Sequence, residues 1–169
     1  PAMHSLDSGA NVIYVGTFSK VLFPALRIGY LVIPRDLVAR FRRFRGAMDI
    51  STAPLYQAVL AELIRDGHFA RHLRRMRGIY AERRLALEEA LARELGDAAR
   101  ITGGRAGMHL VLRLPPNARD HEIATRAAQR GLSVIPLSSC FAGRRTQPGL
   151  VLGYGSVRLA EIPAAVRRL

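Results

Sequence analysis

Gly16-Thr17-Phe18-Ser19-Lys20 closes a β-rich run with a turn that carries two hydroxyls and an amine, and Arg27 follows seven residues after the lysine. Hydroxyls, turn N–H groups and a guanidinium converging on one point can each donate a hydrogen bond to a dianion, so the pattern suits a phosphate cradle. A lysine beside such a cradle is placed to form an imine with an aldehyde on the same phosphorylated molecule. The segment also suits a plain strand-end turn, in which Ser and Thr satisfy backbone groups and the lysine points to water. Of the 26 basic residues, 25 are Arg and Lys20 is the one Lys. Arginine keeps its proton at any physiological pH, whereas lysine can release it and attack a carbonyl.

Other reactive chemistry is sparse. Cys140 is alone, which excludes an intramolecular disulfide framework and a cysteine metal cage; it is expected to be a small buried apolar side chain. No metal site is expected. Against 13 acidic residues the net charge is +13, a balance that suits polyanions, although an Arg-rich background weakens that inference. Arg71, Arg74, Arg75, Arg77, Arg83 and Arg84 could track a phosphate backbone, which makes a basic nucleic-acid module a rival reading. They surround much of their helix, however, with no aromatic interleaving, and ion pairs to Glu82, Glu88 and Glu89 account for them.

A chain of 169 residues, 49% apolar and 23% charged, can bury a core and is not a disordered tail. No apolar run is long enough to span a bilayer and Pro1 to Ala10 lacks the pattern of a secretory signal, so a cytoplasmic protein is expected. Strands and helices alternate. Asn11 to Thr17 and Leu26 to Ile33 read as strands, and Asp36 is expected to cap a helix reaching Gly46. Ser51 or Thr52 should open a second helix with Pro54 in its first turn, ending at Gly67. From His68 to Gly96 a long helix shows one apolar face of Leu73, Met76, Tyr80, Leu87, Leu91 and Leu95. Further strands are expected at Gly107 to Leu114, Leu132 to Pro136 and Leu150 to Tyr154, with helices at Arg119 to Arg130 and Glu161 to Leu169. The two all-apolar strands of the first part imply neighbours on both edges. Tyr14 is expected in that core.

A phosphorylated aldehyde that captures amines is what pyridoxal 5'-phosphate is. The stretch YVGTFSKVLFPALRIGYLVIP resembles the Schiff-base segment of fold-type I pyridoxal-phosphate enzymes. GTFSK followed by LFPALRIGY is similar to the aminotransferase-like domain of MocR/GabR-type regulators, which join such a domain to a GntR-type winged helix. The resemblance continues through STAPLYQAVLAELIRDGHFARHLRRMRGIYAERRLAL and covers nearly the whole chain. It implies an α/β fold, the C-terminal part of a fold-type I transferase, with an incomplete large-domain sheet and a small α+β C-terminal domain. Residues 1–70 would belong to the large domain, 71–96 to a connecting helix and 97–169 to the small domain.

The resemblance assigns Lys20 the internal aldimine and gives Thr17, Ser19 and Arg27 the cofactor phosphate, while Tyr14 could contact the ring. Ser51 and Thr52 fall in the loop that approaches the neighbouring subunit in related dimers; capping is their simpler role. Two departures follow. Where many relatives place an arginine for the substrate carboxylate, this chain has Val151, leaving Arg144, Arg145 or, more weakly, Arg158 for that contact. The Asp that pairs with the pyridine nitrogen is also absent, since Asp7 matches a different turn, and the chain is expected to be a C-terminal fragment.

The implied function is effector sensing in a MocR-type regulator: aldimine exchange at Lys20 with an amino compound would alter DNA binding. A genuine aminotransferase acting on an amino acid is the alternative. A homodimer or larger assembly is expected, with DNA contacted only through an upstream winged helix.

Overall fold

The computed structural model describes residues 12–48, 53–96, 100–103, 107–143 and 147–169. The chain divides into two compact units, Pro1–Leu73 and Arg74–Leu169.

In the first unit, β1 (Tyr14–Thr17) and β2 (Gly29–Val32) pair antiparallel, with Tyr14 opposite Val32 and Thr17 opposite Gly29. Both strands are shorter than expected. Asn11 lies outside the described residues. Upstream of β2, Pro24–Leu26 forms a 3-10 turn and Arg27 takes a left-handed conformation (φ 50°), so extended pairing begins only at Gly29. Proline sets the turn's dihedral and withholds an N–H, which favours the turn over a longer ladder.

A second 3-10 turn, Arg35–Leu37, leads into α1 (Val38–Met48). Asp36 therefore lies inside that turn and is not the helix cap. Next comes α2 (Pro54–Arg65), with Pro54 in its first turn as expected; its N-cap is Ala53, which makes no capping side-chain bond. Ser51 and Thr52 lie outside the described residues. Gly67, at φ +72°, takes the left-handed conformation that separates α2 from α3 (His68–Leu95).

The second unit holds a four-stranded antiparallel sheet in the order β3-β4-β6-β5. Its strands are β3 (Arg100–Gly103), β4 (His109–Arg113), β5 (Ile135–Pro136) and β6 (Gly149–Gly153). Alternation selects the inner face: Leu110 and Leu112 of β4 stand with Leu150 and Leu152 of β6, all buried. They pack with Leu87, Ala90 and Leu91 of α3 and with Ile162 and Val166 of α5 (Ile162–Arg168). Ile123 and Ala124 of α4 (Asp120–Gln129) cover the same core. The expected strands and helices in this unit are present, β6 shifted by one residue from Leu150–Tyr154 and the others shorter, and β3 is an addition. Its four residues, RITG, are too few to show alternation.

The apolar face expected on α3 is graded. Leu87 and Leu91 are buried, Leu73, Met76 and Tyr80 half-buried, and Leu95 is exposed at the helix end. Of the ion pairs expected there, Arg84–Glu88 forms at 3.2 Å; among the described residues Glu82 and Glu89 form none, and Arg83 donates to the Gly155 carbonyl. Cys140 is exposed, contrary to expectation, at the end of the 3-10 turn Leu137–Cys140, which contains no buried residue. Among the described residues no helix is long and apolar enough to cross a membrane.

Candidate functional site

The ladder pair Thr17↔Gly29 marks the end of the two-stranded sheet from which residues 18–28 emerge, and Lys20 and Arg27 both stand in that connection. Its first turn is tightly wound. The Phe18 carbonyl accepts the N–H of Val21 (3.2 Å) and of Leu22 (2.8 Å), so Lys20 is enclosed in the turn's backbone while its side chain is exposed. Phe18 N–H donates to Ile28 O (3.0 Å), which ties the lysine turn to the residue after Arg27.

Thr17 serves this geometry directly. Its hydroxyl accepts the Ser19 N–H (3.2 Å) and donates to Ile28 O (3.4 Å). One of the two expected phosphate-facing hydroxyls is thus engaged by backbone, as in an ordinary strand-end turn, although a hydroxyl oxygen retains a second lone pair. The Ser19 hydroxyl, the Lys20 amine and the Arg27 guanidinium make no hydrogen bond or ion pair with any other described residue.

Aromatic rings support the turn from the strand side. Tyr30 is paired with Gly16 and its ring fills the space beside it, and the Phe18 ring centre lies 5.2 Å from that of Tyr30. Tyr14, expected in a buried core, is 38% exposed and lies 5.9 Å from Tyr30, ring centre to ring centre. A hydrogen bond with Tyr14, then partial burial, then the Tyr14 charge raise the Tyr30 phenol above its ordinary value. The Tyr14 ring shares its exposure with most of β1 and all of β2, a two-stranded sheet whose faces are largely uncovered and whose outer edges are unpaired among the described residues.

From the helix side, Phe69 meets Phe18 edge-on at 5.7 Å, and His72 Nε2 lies 3.0 Å from the Val21 carbonyl. A carbonyl can only accept, so Nε2 carries the proton. Neither residue was identifiable as part of this site from sequence: the contacts span 51 residues, and the HLRRMR wording around His72 carried only the resemblance.

Arg144 and Arg145 lie outside the described residues, as does Asp7. Val151 sits mid-strand in β6, opposite Val111 and Ile135, and offers no polar group. Arg158 is engaged by Glu161, which accepts from its Nε at 2.9 Å and also from Nη2. The pair holds the guanidinium proton more firmly and the carboxyl below its usual range, the hydrogen bond being the chief cause for both.

An amine, a guanidinium and a hydroxyl carried on one backbone-tied connection, none of them bonded to other described residues, match in kind the aldehyde and phosphate of pyridoxal phosphate. The family model for aminotransferase class I and II matches residues 1–156. The chain belongs to that family. It is 44% identical over 158 residues, 93% of this chain, to the probable rhizopine catabolism regulatory protein MocR of Rhizobium meliloti, and covers 32% of that protein. It is 31% identical over its whole length to the uncharacterized HTH-type transcriptional regulator YhdI of Bacillus subtilis, covering 36% of it. Among solved structures, LysN of Thermus thermophilus, an α-aminoadipate aminotransferase complexed with N-(5'-phosphopyridoxyl)-L-leucine, superposes with a TM-score of 0.85. That match has 30% identity over 98% of this chain and 42% of that one. The aminotransferase-like chain thus has the fold-type I architecture and spans about a third of the length of these curated relatives.

Proposed function

We propose that this chain is the C-terminal part of a pyridoxal-phosphate-binding effector domain in a MocR-type transcriptional regulator, sensing a small amino compound. Lys20 would receive the cofactor aldehyde, while Arg27, Ser19 and the free lone pair of Thr17 would hold its phosphate. The observation that carries this reading is the joining of the Lys20 turn to the Arg27 turn through the Phe18–Ile28 hydrogen bond, with both cationic side chains unpaired among the described residues.

When bound, pyridoxal phosphate supplies an aldehyde that condenses with amines and a ring that withdraws electrons from the attached carbon. Each residue of the chain then has a task that follows from its chemistry. Arg27 neutralises the dianion and fixes its orientation through paired donors. Thr17 keeps the turn closed and so sets the direction in which Ser19 and Lys20 project. Lys20, once deprotonated, is the nucleophile, and its amine can also carry a proton to or from an adjacent carbon.

The 44% identity to a regulator supports the regulatory reading. Val151, an apolar residue where the resemblance places a carboxylate-binding arginine, also favours an amino compound over an ordinary amino-acid substrate. The fold shared with LysN favours a second reading, a transaminase acting on an amino acid. DNA contact would come through a winged helix upstream, and the protein would act as a homodimer or larger assembly.

Incubation of the full-length protein with pyridoxal phosphate, borohydride reduction and peptide mapping tests the site. The pyridoxyl mass is expected on the Lys20 peptide and is expected to disappear in Lys20→Arg; labelling elsewhere with Lys20 unmodified refutes the assignment. Loss or gain of operator binding on adding an amino compound selects the regulator, and steady turnover of amino acid to oxo acid selects the enzyme.

A further inference from the structure

On either side of Lys20, Phe18 and Val21 are held by the first two turns of α3. Two residues before the lysine, the Phe18 ring is packed between Tyr30 at 5.2 Å and Phe69 at 5.7 Å. One residue after it, the Val21 carbonyl accepts from His72 Nε2 at 3.0 Å. Phe69 and His72 are three apart on a helix, so they share a face and act on the same turn. We infer that His72 and Phe69 are positioning residues for the Lys20 amine, locking the lysine turn onto α3 so that the amine is presented at a set distance from the phosphate-binding group. The inference rests on the cofactor site proposed above.

The physical case is one of constraint. Lys20 has four rotatable side-chain bonds and no hydrogen-bond partner among the described residues, so what the protein fixes is its Cα, which sets the origin and the reach of the amine. The Cα in turn depends on the two hydrogen bonds to Phe18 O and on whatever fixes Phe18 and Val21. On the Val21 side that anchor is a single hydrogen bond from another element. Its loss would leave the turn closed but free to pivot about Phe18, and displacements of about 1 Å at a reacting group cost large factors in rate. A half-buried histidine could instead serve only helix packing, and the two roles give different results.

The test uses the full-length protein with His72→Ala, His72→Gln and Phe69→Leu. Gln retains a side-chain N–H donor of similar reach. Three quantities are read: hydrogen exchange of the peptide spanning residues 18–22 in cofactor-free protein, pyridoxal phosphate affinity by absorbance titration, and borohydride trapping at Lys20. His72→Ala is expected to speed exchange of that peptide and to weaken affinity by about tenfold, the scale of one lost hydrogen bond. His72→Gln should restore both to within about twofold, and Phe69→Leu should fall between. Unchanged exchange and affinity in His72→Ala overturn the inference, as does a loss that Gln fails to restore or that accompanies general destabilisation of α3. If wild-type protein traps no cofactor at Lys20, the site reading fails by itself, and the exchange measurement still decides whether His72 orders the turn.

Discussion

Gly16 and Tyr30 are matched across the β1–β2 ladder so closely that a Cβ on Gly16 would come within 2.3 Å of Tyr30 Cζ. The tyrosine occupies the room that the missing side chain leaves, and from there it reaches Phe18, the residue that begins the lysine turn. Gly16→Ala must therefore displace the ring. Because the far end of an exposed side chain can swing aside, the expected cost is about 1 kcal/mol, at the low end for overpacking. Denaturant unfolding should show that cost vanish in the Gly16→Ala, Tyr30→Ala double variant, whereas additive losses would mean the two residues do not interact.

Arg27 combines a charged side chain with a left-handed backbone. Arg27→Ala and Arg27→Gly should weaken pyridoxal phosphate binding equally, by about 2 kcal/mol, since both lose a charge-assisted bond to a dianion. Their stabilities should differ: glycine accepts a φ of 50° without penalty, and so Arg27→Gly is expected to be about 1 kcal/mol more stable than Arg27→Ala. Isothermal titration together with thermal unfolding separates the two effects, and an unchanged affinity in both variants would place Arg27 outside the cofactor site.

Asp120, 4% exposed at the start of α4, fastens three segments of the second unit. Its carboxylate accepts the Ser138 N–H (2.9 Å), the Ser138 hydroxyl (2.8 Å) and the Gly149 N–H (3.2 Å). Burial pushes the carboxyl up, but the bonds from Ser138 and Gly149, aided by the nearby His121, outweigh it and hold the group below its ordinary value. A depressed folded-state value means that this stabilisation is complete above the unfolded carboxylate range and is lost as pH falls through the folded value. Asp120→Ala is expected to cost about 3 kcal/mol at neutral pH, since it leaves buried donors unpaired. The difference between wild type and variant should shrink on acidification below about pH 4. A difference constant down to pH 2 would contradict the assignment.

The open sheet of the first unit makes a prediction about association. Val15 and Leu31 are cross-strand partners on one face, 72% and 50% exposed. Apolar surface beside unpaired strand edges recruits another chain. The 169-residue chain in isolation is expected to self-associate, and Val15→Lys or Leu31→Lys should move it toward monomer in light scattering. A monodisperse wild-type monomer would show that this face is covered from within the chain.

Much of the site's chemistry is local and therefore readable in sequence. A single lysine among 26 basic residues, set in GTFSK with an arginine seven positions on, singles out the groups of the proposed cofactor site without any knowledge of packing. Helix ends are local too: Pro54 and Gly67 mark α2 because a missing N–H and a left-handed φ act on their own residue. Strand limits were less legible, since Leu26 and Arg27 look extended by composition and are turned by Pro24.

Only folding brings together residues whose partners are far along the chain. Tyr30 beside Gly16, His72 on Val21 and Asp120 on Gly149 depend on pairings 14, 51 and 29 residues apart, and no propensity or period encodes such a distance. Burial is likewise collective. Cys140 is apolar by type yet exposed, and Asp120 is charged by type yet enclosed, because each side chain's environment is set by the segments packed around it. The sequence by itself determined which atoms can react; the tertiary structure decided what holds them in place, since a turn's direction is fixed only by the elements against which it packs.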